Sequence, residues 1–587
     1  MDGNRVVDPT ARIGYFRAIA SDFDGTMTST GAVSDEVVAA LADVRAAGLA
    51  VVLVTGRIID ELLAVEPRIT GLVDAVVGEN GCVLLRGGRR RLLARPVGSA
   101  LAERLTARGV AHRCGEALVA CSAADELAVL AEIRALGEDH QLVRNRGELM
   151  VLPAGVTKGT GIAAALADLG LSPHSAIAVG DAENDHALFE ACELGVAVSD
   201  AVESLRAAAD LVLGGASGAG VVELLRSGLP GGTTRLPPRR WTVGLGDDDA
   251  GVEVSLPASQ VNVLIAGPSS SGKSYAAGLF TEELVRDGYT VLVVDPEGDH
   301  HGLGRLPGTV VFGGDESLVP PDVVARLLRP QCSVVVDLSA LGGDAQAEYL
   351  RVLHSEVEAH RIRTGLPHWV VADEAQRTVG EVGTVGPIFD TAIKGHVFVT
   401  WRAHEMPPDA LASVDAVLVF GPATGTSSAV EVAASVGEVS RAELSAAIAD
   451  GVGRAVLVRR DRPGRMRLVE VSGRSTEHVR HSEKYGGRSL VEHRFHLWDP
   501  PGESRAVSVS NLVELEVAIG SCAQATLVHH GSGRHFSQWI RDVVGEPQLA
   551  TQVEALEAQL ATATPTGPAV EATRLALVAL LQEHRAT

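Results

Sequence analysis

An α/β fold class follows from three observations. First, short β-forming runs recur along the chain, and many end in a polar cluster that precedes a helical stretch. In a parallel sheet such ends gather along one edge, where α/β folds bind ligands. Second, residues 261–274, VNVLIAGPSSSGKS, pass from a β-run through a glycine-rich loop into a helical pattern. Third, a hydrophobic content of 46% with 64 glycines suits compact α/β cores and excludes a disordered chain.

Length divides the chain further. At 587 residues, and with ~100–200 residues per domain, three or four domains are expected. The formal net charge of −23 disfavours a protein that coats nucleic acid, because that binding needs clustered Lys and Arg on phosphates. Cys82, Cys114, Cys121, Cys192, Cys332 and Cys522 form no C-x-x-C pair, so neither a zinc site nor a disulfide framework is indicated. The first residues lack the apolar core of a signal peptide, and no run is long and apolar enough to span a bilayer. The expectation is a soluble cytoplasmic protein with no membrane partner.

The first unit begins with a strand at 18–20 that ends in Ser21-Asp22-Phe23-Asp24-Gly25-Thr26. Aspartates two apart at a strand end project the same way. That suits a carboxylate nucleophile beside a carboxyl acid/base, both next to Mg²⁺. Three partners follow in order. A strand at 51–54 ends in Thr55-Gly56-Arg57. Lys158 opens a helix after Pro153-Ala154-Gly155. A strand at 176–179 ends in Gly180-Asp181-Ala182-Glu183-Asn184-Asp185.

Over about residues 14–226 this set resembles the haloacid dehalogenase phosphatase superfamily, in particular its Cof-type and sugar-phosphate branch. The resemblance implies a Rossmann-like phosphatase core and these roles. Asp22 is the nucleophile and forms an aspartyl-phosphate. Asp24 protonates the leaving group, then activates water, and offers its backbone carbonyl to Mg²⁺. Thr55 hydrogen-bonds the phosphoryl group, Lys158 neutralises charge, Asp181 ligates the metal, and Asp185 completes the acidic motif beside Asn184. The metal set is thus Asp22, Asp24, Asp181 and Asp185.

Glu79-Asn80-Gly81 reads as a turn into an inserted cap, about 82–153. The insert has β-like pieces at 117–121, 141–144 and 149–152 and helical pieces at 98–108 and 124–136, so a small α+β cap is expected. Arg144, Asn145 and Arg146 are candidates for contacting an anionic substrate; equally, they read as a solvated edge. His112 and Cys114 have no partners at metal spacing and read as structural.

Residues 227–240 are rich in Gly, Pro and Thr and form the linker. Two strands, 241–245 and 252–256, are then expected, joined by an acidic turn. They lead into the glycine loop, which completes G-x-x-x-x-G-K-S at Gly267, Gly272, Lys273 and Ser274. Glycines let backbone N–H groups curl around phosphate oxygens, Lys273 reaches the β/γ-phosphates, and the Ser274 hydroxyl ligates Mg²⁺; Ser271 lies in the same loop. The helical run 275–287 turns its positive end toward the phosphates. ATP is the expected cofactor. Further strands end in Asp295 (290–294), Asp337 (333–336), Asp373-Glu374 (369–372) and Thr400 (396–399). Asp373 is placed in the Mg²⁺ shell, and Glu374 polarises the attacking water.

Residues 241–472 resemble the HerA/FtsK-type P-loop ATPases, through Gly244-Leu245-Gly246, the GPSSSGKS loop, Asp295-Pro296-Glu297-Gly298-Asp299, Val370-Val371-Ala372-Asp373-Glu374 and Thr400. The resemblance implies a homo-oligomeric ring, usually a hexamer, with each site completed in trans by an arginine, and movement of DNA or protein through the pore. Arg377, Arg402 and Arg441 are all candidates for that arginine, and an ordinary surface role competes for each. One departure stands out: the family's sensor strand commonly ends in Thr-Gln, whereas Thr400 is followed by Trp401 and Arg402.

The remainder, 473–587, is expected to be a small, mainly helical accessory domain. Residues 473–487 are polar and basic and read as a linker or a phosphate-contacting loop. Helical spacing marks 511–519, 536–544, 549–561 and 569–584. His529-His530 read as a loop or a buried hydrogen-bonded pair. The chain as a whole reads as an Mg²⁺-dependent phosphomonoesterase for a small phosphorylated metabolite, such as a sugar phosphate, fused to a motor-like ATPase. The alternative is a nucleic-acid or defence machine with an end- or nucleotide-phosphatase; acidity and an aromatic content of 3% weigh against it. An ATP-dependent scaffold with a vestigial phosphatase is a third reading, against which the intact motifs count.

Overall fold

The computed structural model describes residues 14–145, 147–269, 271–314, 317–379, 393–421, 427–448, 453–476, 495–497, 507–509, 512–544, 546–560 and 567–586. Arg146, residues 477–487 and the end of the helix expected at 549–561 lie outside them.

The first sheet has eight strands. Its centre is Ala18–Ser21, paired in parallel with Ala176–Gly180 on one side and Ala50–Val54 on the other. Ala75–Gly78 continues in parallel beyond Ala50–Val54, and Leu194–Ala197 then Leu211–Val212 extend the other edge. Val83–Arg86 and Arg89–Leu92 close the sheet as an antiparallel hairpin. The central strands are apolar and buried along their whole length, as strands covered on both faces must be. Helices such as Asp35–Ala46, Lys158–Asp168 and Ser217–Arg226 supply that cover.

The insert forms a second sheet of four antiparallel strands, ordered His112–Cys114, Val119–Ser122, Glu148–Pro153 and His140–Asn145. Helices Ser99–Ala107 and Glu126–Leu136 pack on it through Leu101, Leu105, Val129 and Ile133. This α+β cap starts later than the expected residue 82, because Val83–Arg86 and Arg89–Leu92 pair into the first sheet.

Among the described residues the third sheet has eleven strands. Asn262–Ala266, which leads into the glycine loop, lies between Ala416–Phe420 and His396–Thr400. Trp369–Ala372, Val291–Asp295, Ser333–Asp337 and Thr309–Gly313 follow in parallel. The other side is antiparallel: Arg454–Arg459, Met466–Val471, Thr242–Asp247 and Glu253–Pro257. The hairpin starts one residue later than the pattern suggests, and its register shifts between Gly244 and Gly246. There Gly246 has φ +145° and sits so close to the Glu470 carbonyl that a Cβ would clash.

The last unit holds helices Leu512–Ser521, Gln524–Ser532, His535–Trp539, Pro547–Leu560 and Pro568–Ala586, with a short strand pair Phe495–Leu497 and Val507–Val509. His529-His530 do not form the expected loop. Both lie in Gln524–Ser532, where apolar Leu527 is buried, and His530 bonds His535 rather than its neighbour. Among the described residues no helix is long and apolar enough to cross a membrane.

Candidate functional site

Two sites form, one at the carboxyl edge of each parallel sheet. At the first, pairing of Ala18–Ser21 with both neighbours brings the ends of three strands side by side. Asp22 follows the central strand, Thr55 follows Ala50–Val54, and Asp181 follows Ala176–Gly180. Gly25 turns the chain at φ +86°, a conformation that suits glycine. Lys158 starts its helix behind Thr157, whose hydroxyl accepts from the Thr160 N–H.

The Lys158 ammonium is buried and donates to Asp22 Oδ1 at 2.6 Å and Asp185 Oδ1 at 2.6 Å. Burial works against its charge, but Asp185 and Asp22 outweigh burial and hold the ammonium above the usual lysine range. Burial pushes the Asp22 carboxyl well up; Lys158 opposes this, and Asp185 and Asp181 add to it. Asp22, Asp181 and Asp185 offer carboxylate oxygens within 4.8 Å of one another, all buried. Thr26 donates to Asp181 Oδ1 at 2.7 Å, and Asp185 Oδ2 accepts the N–H groups of Asp181 and Ala182. Three clustered carboxylates against one ammonium leave excess negative charge, so the donor set fits a hard divalent cation.

Asp24 stands apart from that trio. Its carboxylate is held in a two-pronged pair by Arg57, with Nε–Oδ2 and Nη2–Oδ1 both at 2.6 Å. Thr55 is buried, and its Oγ1 accepts from the Arg57 N–H. In the cap, Arg144 is paired with Glu126 on the surface, which favours the solvated-edge reading for that residue. Asn145 keeps a buried Oδ1 without a partner.

At the second site Gly272, at φ +105°, is the N-cap of helix Lys273–Arg286. Gly267 lies so close to Phe420 that a Cβ would clash. The Lys273 ammonium donates back to the Pro268 carbonyl at 2.8 Å, and Ser271 Oγ is buried without a partner. Burial pulls Lys273 below the usual lysine range, opposed by the nearby carboxylates of Glu374 and Asp373. Ser274 is half-buried in the first turn of that helix. A buried, unpaired hydroxyl and an ammonium folded onto its own loop, at a helix N-terminus, fit a polyphosphate.

Asp373 and Glu374 follow Trp369–Ala372, and Glu374 is held at φ +47°. Burial pushes the Glu374 carboxyl up to about 7, and Glu297 and Asp373 add to it. Two partners escaped the sequence reading. His300 is fully buried and bonds Asp373 Oδ2 at 2.8 Å. Gln376 accepts from Thr400 Oγ1 at 2.5 Å and donates to the Glu374 carboxylate. Thr400 therefore reaches Glu374 through a glutamine from a different element. Trp401 packs under the Arg402 guanidinium, 3.8 Å from ring centroid to Cζ, half exposed. Arg377 is bonded to Gln346, Arg402 to Glu405 and Arg441 to Glu431, within the chain.

Comparison with known proteins matches these two regions separately. A model of the haloacid dehalogenase-like hydrolases matches residues 19–108 and 122–225, and one of the central domain of the helicase HerA matches 244–358. Phosphoglycolate phosphatase 2 of Saccharolobus solfataricus is 32% identical over 222 residues, covering 36% of this chain and 92% of that protein. The phosphoglycolate phosphatase of Methanothermobacter thermautotrophicus is 32% identical over 218 residues, 36% of this chain and 97% of that one. Among solved structures, a haloacid dehalogenase-like hydrolase from Bacteroides thetaiotaomicron aligns with 36% of this chain and 98% of its own, at 19% identity and a TM-score of 0.32. The chain belongs to the haloacid dehalogenase-like hydrolases and carries a HerA-type central domain behind its hydrolase.

Proposed function

We propose that the N-terminal unit is an Mg²⁺-dependent phosphomonoesterase working through an aspartyl-phosphate, and that the HerA-type unit binds and hydrolyses ATP. One observation carries the first reading: the buried Asp22 carboxylate shares Lys158 with Asp185, beside Asp181. Asp22, Asp181 and Asp185, with the Asp24 carbonyl, would hold Mg²⁺, whose charge would keep Asp22 ionised and offset that of the phosphoryl oxygens. Asp22 attacks phosphorus, and the bond to the leaving oxygen breaks. Asp24, freed from Arg57, gives that oxygen a proton. Asp24 then takes a proton from water, the water oxygen attacks phosphorus, and Asp22 and inorganic phosphate separate. Thr55 and Lys158 hold the phosphoryl oxygens through both steps.

In the HerA-type unit Lys273 leaves Pro268 for the phosphates, Ser274 and Asp373 would hold Mg²⁺, and Glu374 orients the water. Relatives named phosphoglycolate phosphatases make a small phosphorylated acid the first substrate to try, before sugar phosphates. The match to the helicase HerA central domain supports a second reading, in which the phosphatase serves a nucleic-acid machine assembled as a ring.

The test measures phosphate release with Mg²⁺ by the full chain and by Asp22→Asn. The panel holds phosphoglycolate, sugar phosphates, nucleotides and phosphorylated DNA ends, each with and without ATP. Turnover of one small phosphomonoester, lost at least ~10³-fold in the variant, upholds the first reading. Turnover confined to DNA ends or nucleotides and stimulated by ATP replaces it with the second.

A further inference from the structure

The turn that opens the cap, Glu79–Gly81, has φ +53°, +54° and +111° in succession. Left-handed backbone at two consecutive non-glycine residues is costly and persists only where its surroundings impose it. The surroundings here are the catalytic loops. The Glu79 N–H donates to the Arg57 carbonyl at 2.9 Å, and the Asn80 N–H to the Thr55 carbonyl at 2.9 Å. Gly81 packs so tightly against the Thr157 carbonyl, one residue before Lys158, that a Cβ there would lie 2.1 Å from it. The Glu79 carboxylate is buried and accepts the N–H groups of Glu116, Ala117 and Leu118, where the cap returns. The turn is thus gripped by the Thr55 loop, the approach to Lys158 and the cap together.

Within that grip the Asn80 side chain reaches across the site. Its Oδ1 accepts from Asn184 Nδ2 at 3.1 Å. Asn184 stands next to Asp185 in the acidic loop, and its Nδ2 would lie 3.9 Å from a Cβ on Gly56. Its own Oδ1 is buried without a partner, an unmet acceptor between two catalytic loops. We propose that Asn80 is a positioning residue of the phosphatase site: its strained turn fixes the Asn184 amide between the Thr55–Gly56 loop and Asp185. The inference rests on the phosphatase reading above. It predicts that Asn80 acts on turnover only through Asn184.

The test is steady-state hydrolysis of p-nitrophenyl phosphate with Mg²⁺ by the full chain. The variants are Asn80→Gly, Asn184→Ala, their double, and Asn80→Asp, with Asp22→Asn as the blank. Asn80→Gly keeps the left-handed turn and its bond to Thr55 and removes the side chain alone. The expected result is a ~10-fold fall in kcat for Asn80→Gly with KM within ~3-fold, a similar fall for Asn184→Ala, and no further fall in the double variant. Asn80→Asp, which keeps the acceptor, recovers at least half the lost kcat. Unchanged kcat in Asn80→Gly, falls that multiply in the double, or a KM that rises with kcat intact overturns the proposal. A wild type no faster than Asp22→Asn removes the phosphatase reading, and the inference with it. Thermal melting of each variant separates misfolding from the effect sought, and Asn80→Gly is expected to melt with the wild type.

Discussion

Glu374 shows how far one residue depends on neighbours that no motif names. Burial raises its carboxyl to about 7, and the bond from Gln376 is among the few influences that lower it. Only the ionised form accepts a proton from water, so ATP turnover is expected to fall as pH drops through 7. In Gln376→Ala that lowering bond is gone, so the acid limb of the profile moves to higher pH. Nucleotide binding, assigned by the proposal to Lys273 and the loop, is expected to stay within ~3-fold, because Gln376 bonds Glu374 and Thr400 instead. ATP hydrolysis measured from pH 5.5 to 9 checks this, and an unmoved acid limb would sink it. The residues legible in the sequence were those whose type and spacing are dictated by the chemistry: Asp22, Asp24, Lys158, Asp181, Lys273 and Glu374. Asn80, His300 and Gln376 were not. Asn80 meets Asn184 across 104 residues of chain, and His300 meets Asp373 across 73. Such partners are set by tertiary packing, and a residue with no preferred spacing to its partner leaves no pattern to read.

At the scale of elements, helix Lys273–Arg286 does more than present its N-terminus to a phosphate. Its Glu282 is fully buried and gathers residues 474–476, which follow the strand Met466–Val471. Arg474 Nε donates to it at 3.1 Å, as do the N–H groups of Ser475 and Thr476 at 2.9 and 3.0 Å. Burial alone would raise this carboxyl, yet the bonds from Thr476 and Ser475 take it down to about 2. A carboxyl lower in the folded chain than in the unfolded one stabilises fully above the unfolded value of about 4.5, and that stabilisation is lost as pH falls toward 2. Acid unfolding between those limits is therefore expected to be shallower in Glu282→Gln, which starts less stable at pH 7. Parallel slopes of Tm against pH in the two proteins would refute it. The glycine loop, its strand and its helix were legible because local pattern and chemistry agree there. The antiparallel strands Arg454–Arg459 and Met466–Val471, inside the same sheet, were not, since short strands interrupted by charged residues resemble loops.

In the whole molecule the first and third sheets meet at their amino edges. Arg17, Ser175 and Glu193 precede strands of the first sheet; Thr290, His368 and Gly395 precede strands of the third. Arg17 donates to the Arg361 carbonyl at 2.9 Å, and Trp241 Nε1 to the Cys192 carbonyl at 3.2 Å. The His174 ring stacks on Tyr289 at 3.8 Å and meets Trp241 edge-on at 4.8 Å. Its Nδ1 faces Glu193 Oε2 at 2.9 Å and its Nε2 the Asp287 carbonyl at 2.8 Å, while the Tyr289 hydroxyl donates to the same Glu193 oxygen at 2.8 Å. Because Asp22, Thr55, Asp181 and Asp373 follow the opposite, carboxyl ends of those strands, both candidate sites face away from this seam. Any influence of one on the other must travel through the seam as a mechanical one. Tyr289→Phe removes one of the two bonds to the buried Glu193 Oε2, the other being that of His174, at a cost of about 1–3 kcal/mol. Tyr289→Ala also empties the stack and costs about 3–5 kcal/mol. Tyr289 contacts Glu193, His174, Trp241 and His368 and no candidate site residue, so each unit's own turnover, measured on saturating substrate, is expected to stay within ~3-fold in both variants. Calorimetry is expected to show the two units melting together in the wild type and separating in Tyr289→Ala. If ATP stimulates phosphatase turnover in the wild type and still does so undiminished in Tyr289→Ala, the seam is not the path between the sites. If stimulation vanishes while both basal rates survive, the stack of His174 on Tyr289 is the joint through which they communicate.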